Sequence, residues 1–269
     1  MLHTMSPNAF DLIPIIQRAR GYRVYDINGK RYLDLYQDGG RAILGHRPDR
    51  VGLALKNTIS KGLLSDYPSV YTLRFVRALK TLLPDQSDFR WYCSMENALK
   101  AASQHLGSPL VFSDVKDPVF SHSDQTSAAL WRPFLNSINS QVTFPVLPFA
   151  KSWTPTVVAF RERPGDDVFS SDCISGAILS GMCRSVYDLM RYVGAEGETD
   201  WETFNSPVWD RKGPYLLPKC DVDRYSIIFK RLLQNGIIIS PFYPGPSILP
   251  GEYSPGEIKC LMQYSELEM

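Results

Sequence analysis

The chain has 269 residues, 44% hydrophobic and 21% charged, a balance that allows one large or two ordinary soluble domains with a sizeable core. Its formal net charge of +1, from 29 basic and 28 acidic residues without long like-charge blocks, gives no electrostatic footing for nucleic acid or acidic membranes. The N-terminal stretch lacks an export pattern, and no apolar run approaches the roughly 20 residues that span a bilayer. Five scattered cysteines without a C-x-x-C pair (Cys93, Cys173, Cys183, Cys220, Cys260) read as reduced thiols behaving as small buried hydrophobes, the usage of a cytoplasmic protein.

In chain order, "YRVYDINGKRYLDLY" alternates apolar and polar residues around Asn28-Gly29 and predicts a β-hairpin with a two-residue turn. Pro48 and Asp49 open a helix on which Val51, Leu55 and Ile59 recur at helical spacing before Gly62. A second helix is expected from Thr72 to Leu83, with Leu73, Val76, Leu79 and Leu83 on its apolar stripe. Phe89 to Cys93 reads as a buried strand that turns tightly into the helix "SMENALKAASQHLG", started by Ser94 and stopped by Gly107.

"PLVFSD" reads as a further parallel strand, whereas residues 117–152, rich in Pro, Ser and Asn, show no sustained period and are expected to form loops and short elements. "TPTVVAF" reads as a buried strand, and Ile178, Met182, Val186, Leu189 and Val193 mark a long amphipathic helix over 174–193. The chain closes with a helix carrying Val222, Tyr225, Phe229 and Leu232, a strand from Ile237 to Ile239, and a helix whose Ser254, Pro255 and Glu257 form a capping box.

The ordered stretch "GYRVYDINGKRYLDLYQDGGRAILGHRPDRV", with Asp26, Gly29, Tyr32, Asp34, Gly45, His46 and Pro48, resembles the N-terminal segment of class III aminotransferases. The tail "YSIIFKRLLQNGIIISPFYPGPSILPGEYSPGEIKCL" is similar to the family's C-terminal small domain. The resemblance implies an α/β fold: a three-layer αβα core of the pyridoxal-phosphate-dependent transferase type, reduced in size, with a small α+β domain formed by the N- and C-terminal segments. The expected division is 1–70, 71–205 and 206–269.

Chemistry in that family needs an amine for the aldimine, an acid against the pyridine nitrogen, and a helix N-terminus for the phosphate. Ser94, Met95 and Glu96 stand where the family's phosphate loop reads S-G-S/T-E-A, with Met95 in place of a glycine. No strand-terminal Asp-Glu pair is visible, and Asp114 reads as a turn residue. Of Lys116, Lys151, Lys212 and Lys219, the best candidate amine is Lys151, whose apolar neighbours could free it, with a snorkelling surface lysine as the plainer reading.

His3, His46, His105 and His122 lack metal-ligand spacing. Ser175-Gly176 and Ser180-Gly181 read as small residues permitting close helix packing, Asp166, Asp167 and Asp172 as carboxylates near a helix start, and Arg132 as free to stack or pair. The reading is thus an aminotransferase-like protein that has lost pyridoxal-phosphate catalysis and binds a small molecule or a partner. It would need no cofactor, would form a homodimer or pair with a full-length aminotransferase, and would bind neither nucleic acid nor membrane. The alternative is an active pyridoxal-phosphate enzyme on an amino acid, with Lys151, or in second place Lys212, as its amine and Ser94 near the phosphate.

Overall fold

In the computed structural model, which describes residues 9–194, 204 and 206–266, the elements run β1 (Ile16–Arg20), β2 (Arg23–Asp26), β3 (Arg31–Asp34), α1 (Asp49–Ile59), α2 (Val70–Leu82), β4 (Asp88–Tyr92) and α3 (Met95–Leu106). Then follow β5 (Gln125–Trp131), β6 (Asn139–Pro145), β7 (Thr156–Phe160), α4 (Gly176–Gly194), β8 (Trp209–Lys212), β9 (Tyr215–Pro218), α5 (Val222–Gln234), β10 (Ile237–Ile238), β11 (Ser247–Ile248) and α6 (Pro255–Glu266). The chain divides into two units, residues 49–195 and residues 1–48 with 196–269. The sequence reading had placed these bounds after 70 and 205.

The unit of residues 49–195 is built on a four-stranded mixed sheet in the order β4-β7-β6-β5, in which β7 is antiparallel to both neighbours and β5 is parallel to β6. Its two faces are read off the alternation of β4 and β7. Phe89, Trp91, Val157 and Ala159 meet Phe75 and Leu79 of α2 and Met182 and Val186 of α4 on one side. Tyr92, Val158 and Phe160 meet Ala98, Ala101 and Ala102 of α3 on the other. This is a three-layer αβα core reduced to four strands. The small residues of α4 act as expected: a Cβ added at Gly181 would stand 2.8 Å from Phe149 and 3.0 Å from Leu55.

The other unit holds the sheet β1-β2-β3-β10, whose last pair is parallel, and the antiparallel sheet β11-β9-β8, with α5 and α6. Tyr225, Ile228, Phe229 and Leu232 form the buried stripe of α5, while Val222 faces solvent. The capping box at α6 is present, with Ser254 N–H donating to Glu257 Oε2 at 2.8 Å and Glu257 N–H donating to Ser254 Oγ at 3.3 Å. Glu257 also takes a bidentate bond from Arg23, Nε to Oε1 at 3.0 Å and Nη2 to Oε2 at 2.8 Å, so one carboxylate ties β2 to α6.

Several elements depart from the sequence reading for physical reasons. The β2–β3 hairpin turns through three residues rather than two: Gly29 alone takes a positive φ, 81°, and Asp26 Oδ1 accepts from Asn28 N–H and Lys30 N–H, holding the wider loop. "PLVFSD" is not a strand; Phe112–Asp114 is a short 3-10 turn in which Asp114 accepts from Val111 N–H. The supposed loop region instead supplies β6, a central strand, and β5, the edge strand parallel to it, whose Ala, Ser and Thr side chains pack as well as larger ones on a tightly covered sheet. On α2 the buried stripe is Phe75, Ala78 and Leu79, and Leu73 is exposed.

Residues 37–40 form a left-handed turn, with φ of 48° at Gln37, 49° at Asp38, 66° at Gly39 and 101° at Gly40. Two non-glycine residues in this region cost about 1–2 kcal/mol each. Asp34 Oδ1 helps to hold them, accepting from Tyr36 N–H and Gln37 N–H, while Asp34 Oδ2 lies 2.7 Å from His46 Nε2.

Glu257 generates a stability prediction. Burial opposes its charge, but the hydrogen bonds from Arg23 and Ser254 outweigh it and hold the carboxyl below its usual 4.5. A lowered folded-state pKa contributes stability that is full above the unfolded value and is lost as pH falls through the lower one. E257Q should therefore lose roughly 1–2 kcal/mol near neutrality, discounted for partial solvent screening. Urea melts of variant and parent should converge as pH drops below 4.5.

Candidate functional site

The end of β4 and the start of β7 are neighbours because Tyr92 pairs with Thr156 in the antiparallel ladder. Residues just beyond that pair, Cys93 on one side and Ser152 to Pro155 on the other, therefore meet at one edge of the sheet, where they line a cavity of about 410 Å³. Leu55, Ile59 and Leu64 contribute from α1 and the loop after it, and Ile174, Ser175 and Ile178 from the start of α4. A volume of this size suits a small ligand.

The polar groups on the cavity wall are mostly committed. Thr154 Oγ1 donates to Ala150 O at 2.7 Å, and Ser175 Oγ accepts from Ile178 N–H. Asp172, placed by sequence near a helix start, accepts instead from Cys93 N–H at 2.7 Å. Burial, with Asp172 and Asp66 adding to it, pushes the Cys93 thiol up. Cys93 and Cys173 are exposed, contrary to the expectation of buried thiols, whereas Cys183 is buried.

The residues proposed for a phosphate loop sit at the N-terminus of α3, beside this cavity through Cys93. Ser94 is a true N-cap, its Oγ accepting from Asn97 N–H at 3.1 Å. Met95 projects a side chain that is 38% exposed, and Glu96 places a carboxylate in the first turn. A phosphate dianion needs open amides and nearby cations. This strand end offers Asp172 already on the Cys93 amide, Glu96 in the first turn and no cationic side chain among the cavity's lining residues.

Lys151 is exposed in the turn joining β6 to β7, in solvent rather than in the apolar setting its neighbours suggested. It precedes the lining residues but does not itself line the cavity. Lys116 forms a bridge to Ala129, Lys212 lies on β8, and Lys219 reaches Ser206 O at 3.5 Å. No strand of the larger sheet ends in an Asp-Glu pair: β5 runs into Arg132, which binds Asp117 through Nε at 2.8 Å and Nη2 at 2.7 Å. His46 pairs with Asp34, His105 packs edge-on against Phe160, and His3 lies outside the described residues. Among the described residues no three His, Cys, Asp or Glu side chains gather as metal ligands, and no helix is long and apolar enough to cross a membrane.

Sequence reasoning missed the cavity itself. Its walls come from five separated segments, and the one signal that could have joined them is the antiparallel pairing of β4 with β7.

Solved structures decide the fold. Ornithine aminotransferase PY00104 from Plasmodium yoelii superposes with a TM-score of 0.68 over 94% of this chain and 93% of that chain, at 14% identity. A glutamate-1-semialdehyde aminomutase from Pseudomonas aeruginosa PAO1 gives 0.64 over 94% and 86%, at 12% identity. The fold is that of the class III aminotransferases. A local sequence match is found too: glutamate-1-semialdehyde 2,1-aminomutase of Thermodesulfovibrio yellowstonii is 31% identical over 87 residues, 32% of this chain and 20% of that one. Over nearly full length, an uncharacterized protein of Borreliella burgdorferi is 26% identical across 250 residues, 92% of this chain and 88% of the relative. No protein-family model matches the chain.

Ser94 yields a local test. S94A should cost about 1 kcal/mol through loss of the α3 cap. If the cap is its whole role, thermal melts will show that loss while the occupancy of the cavity by small probes, followed by Trp fluorescence, stays unchanged.

Proposed function

We propose that this aminotransferase-fold chain has lost pyridoxal-phosphate catalysis and acts as a small-molecule-binding protein, working as a homodimer or beside a full-length aminotransferase. One observation carries the reading: the α3 N-terminus keeps its Ser94 cap, but Met95 stands where the family's glycine lets backbone amides approach a phosphate, and the carboxylates of Asp172 and Asp66 act on Cys93 beside it. The absence of an Asp-Glu pair at any end of the larger sheet's strands supports it. The balanced net charge is in keeping with a partner that is neither nucleic acid nor membrane, and the reduced thiols with a cytoplasmic setting.

A second reading, an active pyridoxal-phosphate enzyme on an amino acid, rests on the position of Lys151. It stands immediately before the turn whose residues 152–155 share the cavity with Cys93, next to Ser94. Incubation with pyridoxal phosphate, borohydride reduction and peptide mapping separates the two. The first reading expects scattered, non-saturating labelling that K151A leaves unchanged. One equivalent on one lysine, lost in K151A, would overturn it.

The dimer is drawn from exposed apolar side chains on α1, the start of α2 and the loop joining them: Leu53 at 58%, Leu64 at 59%, Tyr67 at 76%, Val70 at 60% and Leu73 at 65%. Apolar exposure on that scale marks an interaction face. Sedimentation equilibrium should give a dimer for the parent chain and a dissociation constant raised about tenfold or more by V70E or L73E. A monomer at every concentration would remove the homodimer.

A further inference from the structure

We propose that the cavity beside β4 and β7 takes a compact apolar molecule without an ionised group, an aromatic or aliphatic body of one or two rings seated against Trp153, Ile59 and Ile178. This rests on the small-molecule-binding reading above and names the ligand class for that site.

The lining decides the class. Leu55, Ile59, Leu64, Trp153, Pro155 and Ile178 supply its large apolar surfaces, and no Asp, Glu, Lys, Arg or His stands among the lining residues. An ion brought against such a wall loses water and gains no partner of opposite charge, so burial there is strongly opposed. An uncharged apolar molecule gains by the same transfer.

The polar groups of the wall are engaged within the protein. Thr154 Oγ1 donates to Phe149 O at 3.0 Å and to Ala150 O at 2.7 Å, and Ser175 Oγ accepts from Ile178 N–H at 3.4 Å. Cys93 is the one titratable residue of the lining. Burial first, and then a hydrogen bond to Asp172, push its thiol up, so near neutral pH it stays a protonated and weakly polar group. Asp172 does not line the cavity; its carboxylate accepts from the Cys93 N–H at 2.7 Å.

The apolar side chains are gathered in one concave site yet left open to water. Ile59 is 46% exposed and Trp153 55% exposed, although both line the cavity. Large apolar surface of this kind favours an apolar occupant. The Trp153 ring is also held in place: it tilts against the buried Phe149 with centroids 6.3 Å apart, and its N–H donates to Ala150 O at 3.0 Å. A flat ring fixed before binding offers an aromatic ligand a stacking face at low entropic cost. The volume of about 410 Å³ lies at the small end of the roughly 300–1,000 Å³ range of ligand sites, which limits the occupant to one or two rings.

The test titrates three compounds of one shape and different charge, 2-naphthalenemethanol, 2-naphthylmethylamine and 2-naphthoate, into the full chain by calorimetry and ligand-observed NMR. The alcohol should saturate one site and bind about tenfold more tightly, or better, than the protonated amine or the carboxylate. W153A, at an exposed position, should weaken the alcohol about tenfold while thermal melts stay unchanged. I178W should fill the cavity and abolish saturable binding. V70E, aimed at the subunit face, should leave alcohol binding intact. No saturable alcohol site, or alcohol binding that W153A does not weaken, would overturn the proposal. Alcohol binding lost in V70E together with the dimer would assign the apolar wall to the subunit contact and overturn it as well. Amine or carboxylate binding as tight as that of the alcohol overturns the proposal but leaves the small-molecule reading standing, whereas saturable pyridoxal phosphate labelling of one lysine overturns the reading on which it rests.

Discussion

The two-sided burial of β7 is the constraint on which the larger unit depends. Val157 and Ala159 pack toward α2 and α4 while Val158 and Phe160 pack toward α3, so no residue of the strand after Thr156 is open to solvent. Such a strand must be flanked on both edges and covered on both faces. β4 and β6 supply the edges, and the three layers follow. Because β7 runs against β4, its entrance lies beside the exit of β4, and the cavity forms where those two ends meet.

That origin explains which features were legible in the sequence. Local signals survived intact: Gly107 in the left-handed region at φ 64°, the capping box of Ser254 and Glu257, and the apolar period of α4 all act within one turn of their own positions. Features set by distant partners were not legible. β5 and β6 contain Gln, Ser, Thr and Asn, which mimic loop composition, yet they are strands because β6 pairs with β7, β5 pairs with β6, and both cover the α3 layer. On α2, Leu73 and Phe75 both fit a helical stripe, and only the position of Trp91, whose ring is tilted against Phe75 with centroids 5.5 Å apart, selects the buried one.

The candidate site divides in the same way. Ser94, Met95 and Glu96 were locatable from the motif around them, and the N-cap bond of Ser94 is a local property. The electrostatic surroundings were not locatable, since Asp172 lies 79 positions from the Cys93 amide it binds. A helix N-terminus favours an anion in isolation. Here a carboxylate of the protein already holds the amide of Cys93, just before the cap, and the cavity beside it is walled by Ile59, Trp153 and Ile178.

The central claim is that this aminotransferase fold no longer offers a phosphate site, and phosphorus NMR of pyridoxal phosphate with equimolar protein tests it most directly. The account predicts the resonance of the free phosphate, shifting with pH as it does in buffer. A displaced resonance whose position ignores pH would mean a phosphate held away from solvent, and would contradict the account.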